Sequence, residues 1–385
     1  MRHGEGGLPL ETLLPDIVTA EDRLARLDER VNRSDVKEGF RERSHFFDAA
    51  AVLWVMGELV HVEDIVLHDA HMDIRTPSHE LTIAHAVLRM RRRLWSADTD
   101  WAFTAGLAAI RGQGHEHDGI EHAVRETKLS FAQEAEADIE APDEPLAAEL
   151  AEIDALLARS QRLLDDHGKG MIGREPASKR PQGEAKDATS TQTDPLGLLH
   201  DEDWDEGERF SEWRSVLFEA DQLPPTMGAV VLYDAWSRIE PLRRQHWLGG
   251  LLASAYLRHR GKVSSHLFCF DTGLKAIRHE RRRSTDRSTR LAAFLEAMTL
   301  SAEAGLKELD RLALARIQME RRLKDRRSSS SLPALIEFVL SRPMVSAAMI
   351  AKHIGVTPRG ALNLIGELGI REMTGRGRYR AWGIL

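Results

Sequence analysis

Arg359, Asn363, Arg376, Arg378 and Arg380 are the residues whose types and spacing suit a defined chemistry, hydrogen bonding to the base edges and phosphates of a double helix. Arginine pairs with guanine or with phosphate, and asparagine pairs bidentately with adenine. Arg359 and Asn363 are four residues apart, so a helix capped by Thr357 carries both on one side, with Gly360 and Glu367 also turned outward. Arg376, Arg378 and Arg380 alternate with Gly375 and Gly377, as in two short strands joined by a turn, and can lie along a phosphate backbone or a minor groove.

The elements that must position these groups are legible in "LPALIEFVLSRPMVSAAMIAKHIGVTPRGALNLIGELGIREMTGRGRYRAWGIL", residues 332–385. Pro333 suits a first helical turn, Leu335, Ile336, Val339 and Leu340 form its core stripe, and Pro343 lies just past its end. Ser346 can cap a second helix over 347–354, in which the small Ala351 admits a close neighbour. Gly355 supplies the turn, Val356 plugs the core, and Thr357 caps a third helix with Pro358 in first position. Ala361, Ile365 and Leu368 face inward, and Gly369 ends the helix. This is the pattern of a winged helix-turn-helix, for which the expected partner is double-stranded DNA. The same fold also serves dimerisation and protein contact, so that use stays open beside it.

Charge is divided along the chain. The formal net charge is -8, yet residues 342–385 hold seven Lys and Arg against two acids, while 129–158 hold nine acids and no Lys or Arg. A basic DNA-facing module on an acidic body fits that division.

Ala, Leu, Arg and Glu recur at three- and four-residue spacing, which predicts a mainly α protein. Four segments are expected: an N-terminal helical domain over 1–111, acidic helices and a flexible linker over 112–200, a helical core over 201–327, and the winged helix over 332–385. In 48–70 the residues Leu53, Met56, Leu59, Val60, Ile65 and Val66 are spaced for one buried helical face. A second helix begins at the cap Ser78, and further helices are expected at about 205–220, 224–240, 243–259, 265–283 and 285–325. Cys269 is the single cysteine, and nearly uncharged apolar stretches such as 49–57 fall far short of the roughly 20 residues a membrane span needs. A reducing compartment, the cytoplasm, is expected, with no membrane partner.

Other residues could carry chemistry. His61, His68 and His71 lie near Glu63, Asp64, Asp69 and Asp73, but no His-x-x-x-His and no paired Glu-x-x-His motifs of the usual metal-site kind appear, so polar helix residues are expected there and no metal. The segment "GHEHDGIEH", residues 114–122, reads the same way. Glu58 and Glu63–Asp64 with His61 could serve as acid and base, or as caps and ion pairs to "RMRRR". Arg281, Arg282, Arg283, Arg287 and Arg290 could form a second phosphate-contacting patch or a solvated helix face, the latter being the expectation. No P-loop or Cys/His zinc pattern occurs, so neither a cofactor nor a catalytic residue is assigned.

The terminal segment resembles the winged helix at the carboxyl end of bacterial Fic-domain proteins. In those proteins an N-terminal helix carries an inhibitory Glu in a Ser/Thr-x-x-x-Glu-Gly/Asn motif, and "VLWVMGELVHVEDIVLHDA" is similar to it, with Glu58 at the Glu position. Trp54 stands where the hydroxyl belongs and Leu59 where Gly or Asn does. The Fic core, His-Pro-Phe-x-x-Gly-Asn-Gly-Arg-x-x-Arg, is similar to "IEPLRRQHWLGGLLASAYLRHRG", where Pro241 matches, Leu242 replaces Phe and Glu240 replaces the His. The resemblance implies a Fic-like helical body with degenerate Fic positions at Glu58, Glu240 and Pro241. The chain also resembles a bacterial family of unknown function that joins a helical domain to a terminal helix-turn-helix, through "GELVHVEDIVLHDAHMDIRTPSHELTIAHAVLRMRRR".

Two readings follow. One is a transcriptional regulator whose body senses an effector or dimerises, with a homodimer expected because a lone winged helix rarely reaches operator affinity. The other is a Fic-derived nucleotidyl- or phosphoryl-transferring enzyme with an altered site around Glu240 and an autoregulatory DNA-binding tail.

Overall fold

A computed structural model describes residues 9–73, 76–104, 106, 205–242, 245–323, 331–373 and 380–384. The acidic helices and linker expected within 112–200, the His-rich 114–122 segment, and Arg376 and Arg378 lie outside the described residues. The described residues form thirteen α-helices, one 3-10 turn and a small three-stranded sheet, a mainly α fold. The residues before 113 and those after 204 belong to the same compact unit.

The chain begins with α1 (Leu10–Asn32), whose Leu13, Ile17, Ala20, Leu24, Leu27 and Val31 repeat at helical spacing and are buried. The second helix, α2 (Lys37–Met56), is enclosed on most sides, and its buried set includes Arg43, His45 and Asp48 besides Phe46, Val52 and Leu53. The continuous helical face expected over 48–70 is interrupted. Gly57 takes φ +96°, a left-handed cap that stops α2, and α3 (Val62–Asp69) starts anew after His61. Ile65 and Val66 are buried as expected, but Met56 and Leu59 are exposed. Ser78 caps α4 (His79–Ser96) through its Oγ, which accepts from the Leu81 N–H at 3.2 Å. The 3-10 turn Trp101–Phe103 follows.

After 204 come α5 (Glu206–Ala220) and α6 (Pro225–Ile239). Glu240 ends α6 in the left-handed region at φ +48°, so the helix expected from 243 starts later, as α7 (Leu248–His259). The single helix expected over 265–283 is instead two short ones, α8 (Phe270–Leu274) and α9 (His279–Arg282). Between them α8 is pressed onto the next helix, α10 (Arg287–Leu323). A Cβ on Gly273 would stand 1.9 Å from the Ala297 carbonyl oxygen, a contact that glycine alone permits.

With 37 residues, α10 spans about 55 Å at 1.5 Å per residue and forms the spine of the unit. α1 packs along it, with Arg23 paired to Glu303 and Arg30 to Asp310. α2 and α8 pack on its flank. Deep in that layer Asp48 receives the guanidinium of Arg91 from α4 and, at 2.9 and 3.0 Å, the N–H and hydroxyl of Thr272 from α8. Arg91 also donates to the carbonyl oxygens of Leu267 at 3.0 Å and Phe268 at 3.3 Å. Both partners of this ion pair are fully enclosed. One buried pair therefore ties α2, α4 and α8 together.

Candidate nucleic-acid interface

Residues 331–373 and 380–384 place a three-helix unit against a sheet. α11 (Leu332–Ser341) has Pro333 in its first turn and buries Leu335, Ile336, Val339 and Leu340. The strand β1 (Val345–Ser346) leads into α12 (Ala347–Ile354), where Ser346 Oγ accepts from the Met349 N–H at 3.2 Å. Gly355, at φ +75°, makes the turn, and Thr357 Oγ1 accepts from the Gly360 N–H at 3.1 Å to start α13 (Pro358–Leu368). Two strands follow, β2 (Arg371–Glu372) and β3 (Ala381–Gly383), in the antiparallel order β1-β3-β2, with Val345 opposite Trp382 and Arg371 opposite Gly383. The caps at Ser346 and Thr357 and the Gly355 turn read in the sequence are present, while the turn expected over 375–377 lies outside the described residues.

α13 buries Ala361, Ile365 and Leu368. Its opposite face exposes Arg359, Leu362, Asn363 and Gly366 at helical spacing, so Arg359 and Asn363 share one outward surface. Thr357 is spent on the cap, and Gly360 sits half-buried beneath it, where a Cβ would stand 3.3 Å from Thr357 Oγ1. Glu367 is half-buried. Leu362 and Gly366 escaped the reading by residue type, although their spacing from Arg359 places them on the same face. An exposed leucine on such a helix can meet a thymine methyl, and a bare glycine allows close backbone approach.

The tail's cations divide in use. Arg342 pairs with Glu42 at 3.0 Å and lies over the Phe46 and Phe338 rings, so it belongs to the core side. Arg380 grips Glu372 across the sheet with two bonds, 3.0 and 2.6 Å, and lies 5.1 Å over Trp382. Those bonds hold the Glu372 carboxyl below its ordinary range. Lys352, Arg359 and Arg371 are exposed, without an ion pair among the described residues.

The winged helix is fixed to the helices before it. Arg43, 2% exposed on α2, donates from Nη1 to the Arg342 carbonyl, from Nη2 to the Ile384 carbonyl at 2.9 Å, and from Nε to Glu308 of α10 at 2.6 Å. Near the far end of α10, Arg322 Nη1 donates to the Leu368 carbonyl at the end of α13. Gly369 accommodates that guanidinium, since a Cβ there would collide with it, and its φ of +59° favours glycine independently. The carboxyl end of the outward helix is thus tied to α10.

The remaining candidates sit elsewhere. Glu58 is exposed in the turn after α2, and Glu240 is exposed after α6, beside buried Pro241. Glu240 borders a cavity that Glu58 does not line. His68 Nδ1 lies 2.9 Å from Asp73, and His85 Nε2 lies 3.4 Å from Asp69, itself held by Arg92. Among the described residues no three His, Cys, Asp or Glu converge to hold a metal ion. No helix among them is long and apolar enough to cross a membrane.

Helix, strand, capped helix, glycine turn, capped helix and a strand pair define a winged helix-turn-helix protein. Residues 332–385 match the family described as "HTH DNA binding domain", so the chain carries a helix-turn-helix DNA-binding domain. Residues 198–324 match the family described as "Protein of unknown function (DUF1612)". One relative, "Uncharacterized protein y4cF" of Sinorhizobium fredii (strain NBRC 101917 / NGR234), is 45% identical over 369 residues, covering 94% of this chain and 93% of that protein. The chain belongs to this family, as a bacterial protein with a DUF1612 domain and a C-terminal helix-turn-helix DNA-binding domain.

Proposed function

We propose that the protein is a cytoplasmic transcriptional regulator that docks α13 in the major groove of duplex DNA. The observation that carries this reading is the outward face of α13, Arg359, Leu362, Asn363 and Gly366, on a helix capped at its start by Thr357 and tied at its end to α10 by Arg322. Arg359 and Asn363 read base edges, while Arg376, Arg378, Lys352 and Arg371 supply phosphate contacts. Arg380 acts mainly through Glu372 and Trp382, holding β3 beside β2. The working form is a homodimer. The exposed stripe Leu10, Leu14 and Val18 on α1 and the exposed Phe218 supply apolar surface for a second copy.

The two kinds of contact predict different losses. Asn363→Ala is expected to weaken a preferred sequence by about 5- to 100-fold and random duplex hardly at all. Arg376→Ala with Arg378→Ala is expected to weaken all duplexes about equally and to flatten the salt dependence by about two units of log-log slope. Fluorescence anisotropy with labelled duplexes measures both. Equal losses on preferred and random DNA for Asn363→Ala would remove the base-reading role.

The position of Glu240 at the border of a cavity favours a second reading, transfer chemistry on a Fic-derived body. Labelling from a radiolabelled nucleotide that disappears in Glu240→Ala would establish it, and no labelling would leave the regulator alone.

A further inference from the structure

The arginine run from α9 into the start of α10 is neither a solvated face nor a single patch. Arg290 is buried against Asp234, at 2.7 and 3.2 Å, and Arg287 reaches the same carboxylate at 3.4 Å. Arg281 pairs with Glu296. Arg282 and Arg283, together with Arg290, line a half-open cavity of about 760 Å³ bordered by α2, α6, the start of α7, α8 and the start of α10.

The lining is rich in donors. Tyr233, Ser237, Ser284 and Thr285 bring hydroxyls, and Arg238, Arg282, Arg283 and Arg290 bring guanidiniums. Three acids also face it. Asp234 is neutralised by Arg290 and Arg287, and Glu240 is exposed. The third, Asp271, is 4% exposed, and its Oδ2 has no hydrogen-bond partner. The neighbouring Gly250 leaves room for that oxygen, since a Cβ there would stand 2.0 Å from it.

Burial and the nearby Asp48 carboxylate hold Asp271 well above the ordinary carboxyl range. Of the two acids Asp271 keeps the proton, because Asp48 already has Arg91 and Thr272. A protonated carboxyl in such a site donates a hydrogen bond. Arg282 Nε is likewise buried without a partner. Trp236, Trp247 and Phe294 supply flat apolar wall, and Val52, Val55 and Met56 close the side toward α2. A cavity of this size, with an aromatic wall on one part and convergent polar groups on the rest, is of the kind that holds a small molecule.

We propose that this cavity is a binding site for a small organic anion, a carboxylate or phosphate head on a planar apolar body. The head meets Arg282, Arg283 and Asp271, and the body lies against Trp236 and Phe294. The site stands independently of DNA binding.

Calorimetric titration of the full chain with benzoate and with phenyl phosphate tests it, with benzylamine as the cationic counterpart of similar size. At least one anion is expected to bind one site per chain with Kd below about 1 mM, more tightly than benzylamine. The tighter anion identifies the head as carboxylate or phosphate. Arg282→Ala and Arg283→Ala, at positions outside the apolar core, are each expected to weaken that anion about tenfold. The proposal is overturned if neither anion binds at about 10 mM, if benzylamine binds as tightly, or if neither substitution changes the affinity.

Discussion

Arg91→Ala is expected to lower the unfolding free energy by about 3–5 kcal/mol, read from guanidinium denaturation. The substitution leaves Asp48 buried without its counter-ion and strips donors from the Leu267 and Phe268 carbonyls. Two charges taken out of water gain little as a pair, but one left behind is costly. Replacing both members, Arg91→Met with Asp48→Leu, is expected to recover part of the loss. It cannot recover all of it, because Thr272 still loses the acceptor for its N–H and hydroxyl. A loss below about 1 kcal/mol for Arg91→Ala would contradict this account of the core.

Arg43→Ala is expected to cost about 3 kcal/mol, and to cost it unevenly. Glu308 keeps Arg311 as a partner, whereas the Arg342 and Ile384 carbonyls lose their charged donor. Those carbonyls flank β1 and β3, so amide exchange should rise in the winged helix and stay low in α5, α6 and α7. Arg43→Lys should rescue little, since one ammonium on a flexible stem cannot reach three acceptors in fork geometry. Unchanged protection at Val345 and Trp382 would show that the docking rests on packing of α11 against α2 instead.

The DNA-binding end was legible in the sequence because its devices are local. Ser346 and Thr357 bond to N–H groups three residues on, and Gly355 and Gly369 occupy the left-handed conformations that their positions imply. The body resisted for the opposite reason. Asp48, Arg91 and Thr272 are far apart in the chain and meet only through tertiary packing, so each reads alone as a surface polar residue. The same holds for Asp271 and Arg282, whose shared cavity no spacing rule reveals. Gly57 carried a readable signal, a glycine inside an apolar helical pattern, and the periodicity of Leu53, Ile65 and Val66 on either side outweighed it. The division of the Arg281 to Arg290 run between ion pairs and cavity wall likewise depends on Asp234 and Glu296, contributed by other turns of the fold.

The most direct measurement is the affinity of the purified full chain for random and genomic duplex DNA across a salt series. With the four phosphate contacts proposed per chain, from Lys352, Arg371, Arg376 and Arg378, log Kd should rise with log salt at a slope of about 3 to 4 per protomer. A subset of genomic fragments should be retained at salt that releases random duplex. Absence of binding to any duplex at low salt would contradict the DNA-binding role of the winged helix.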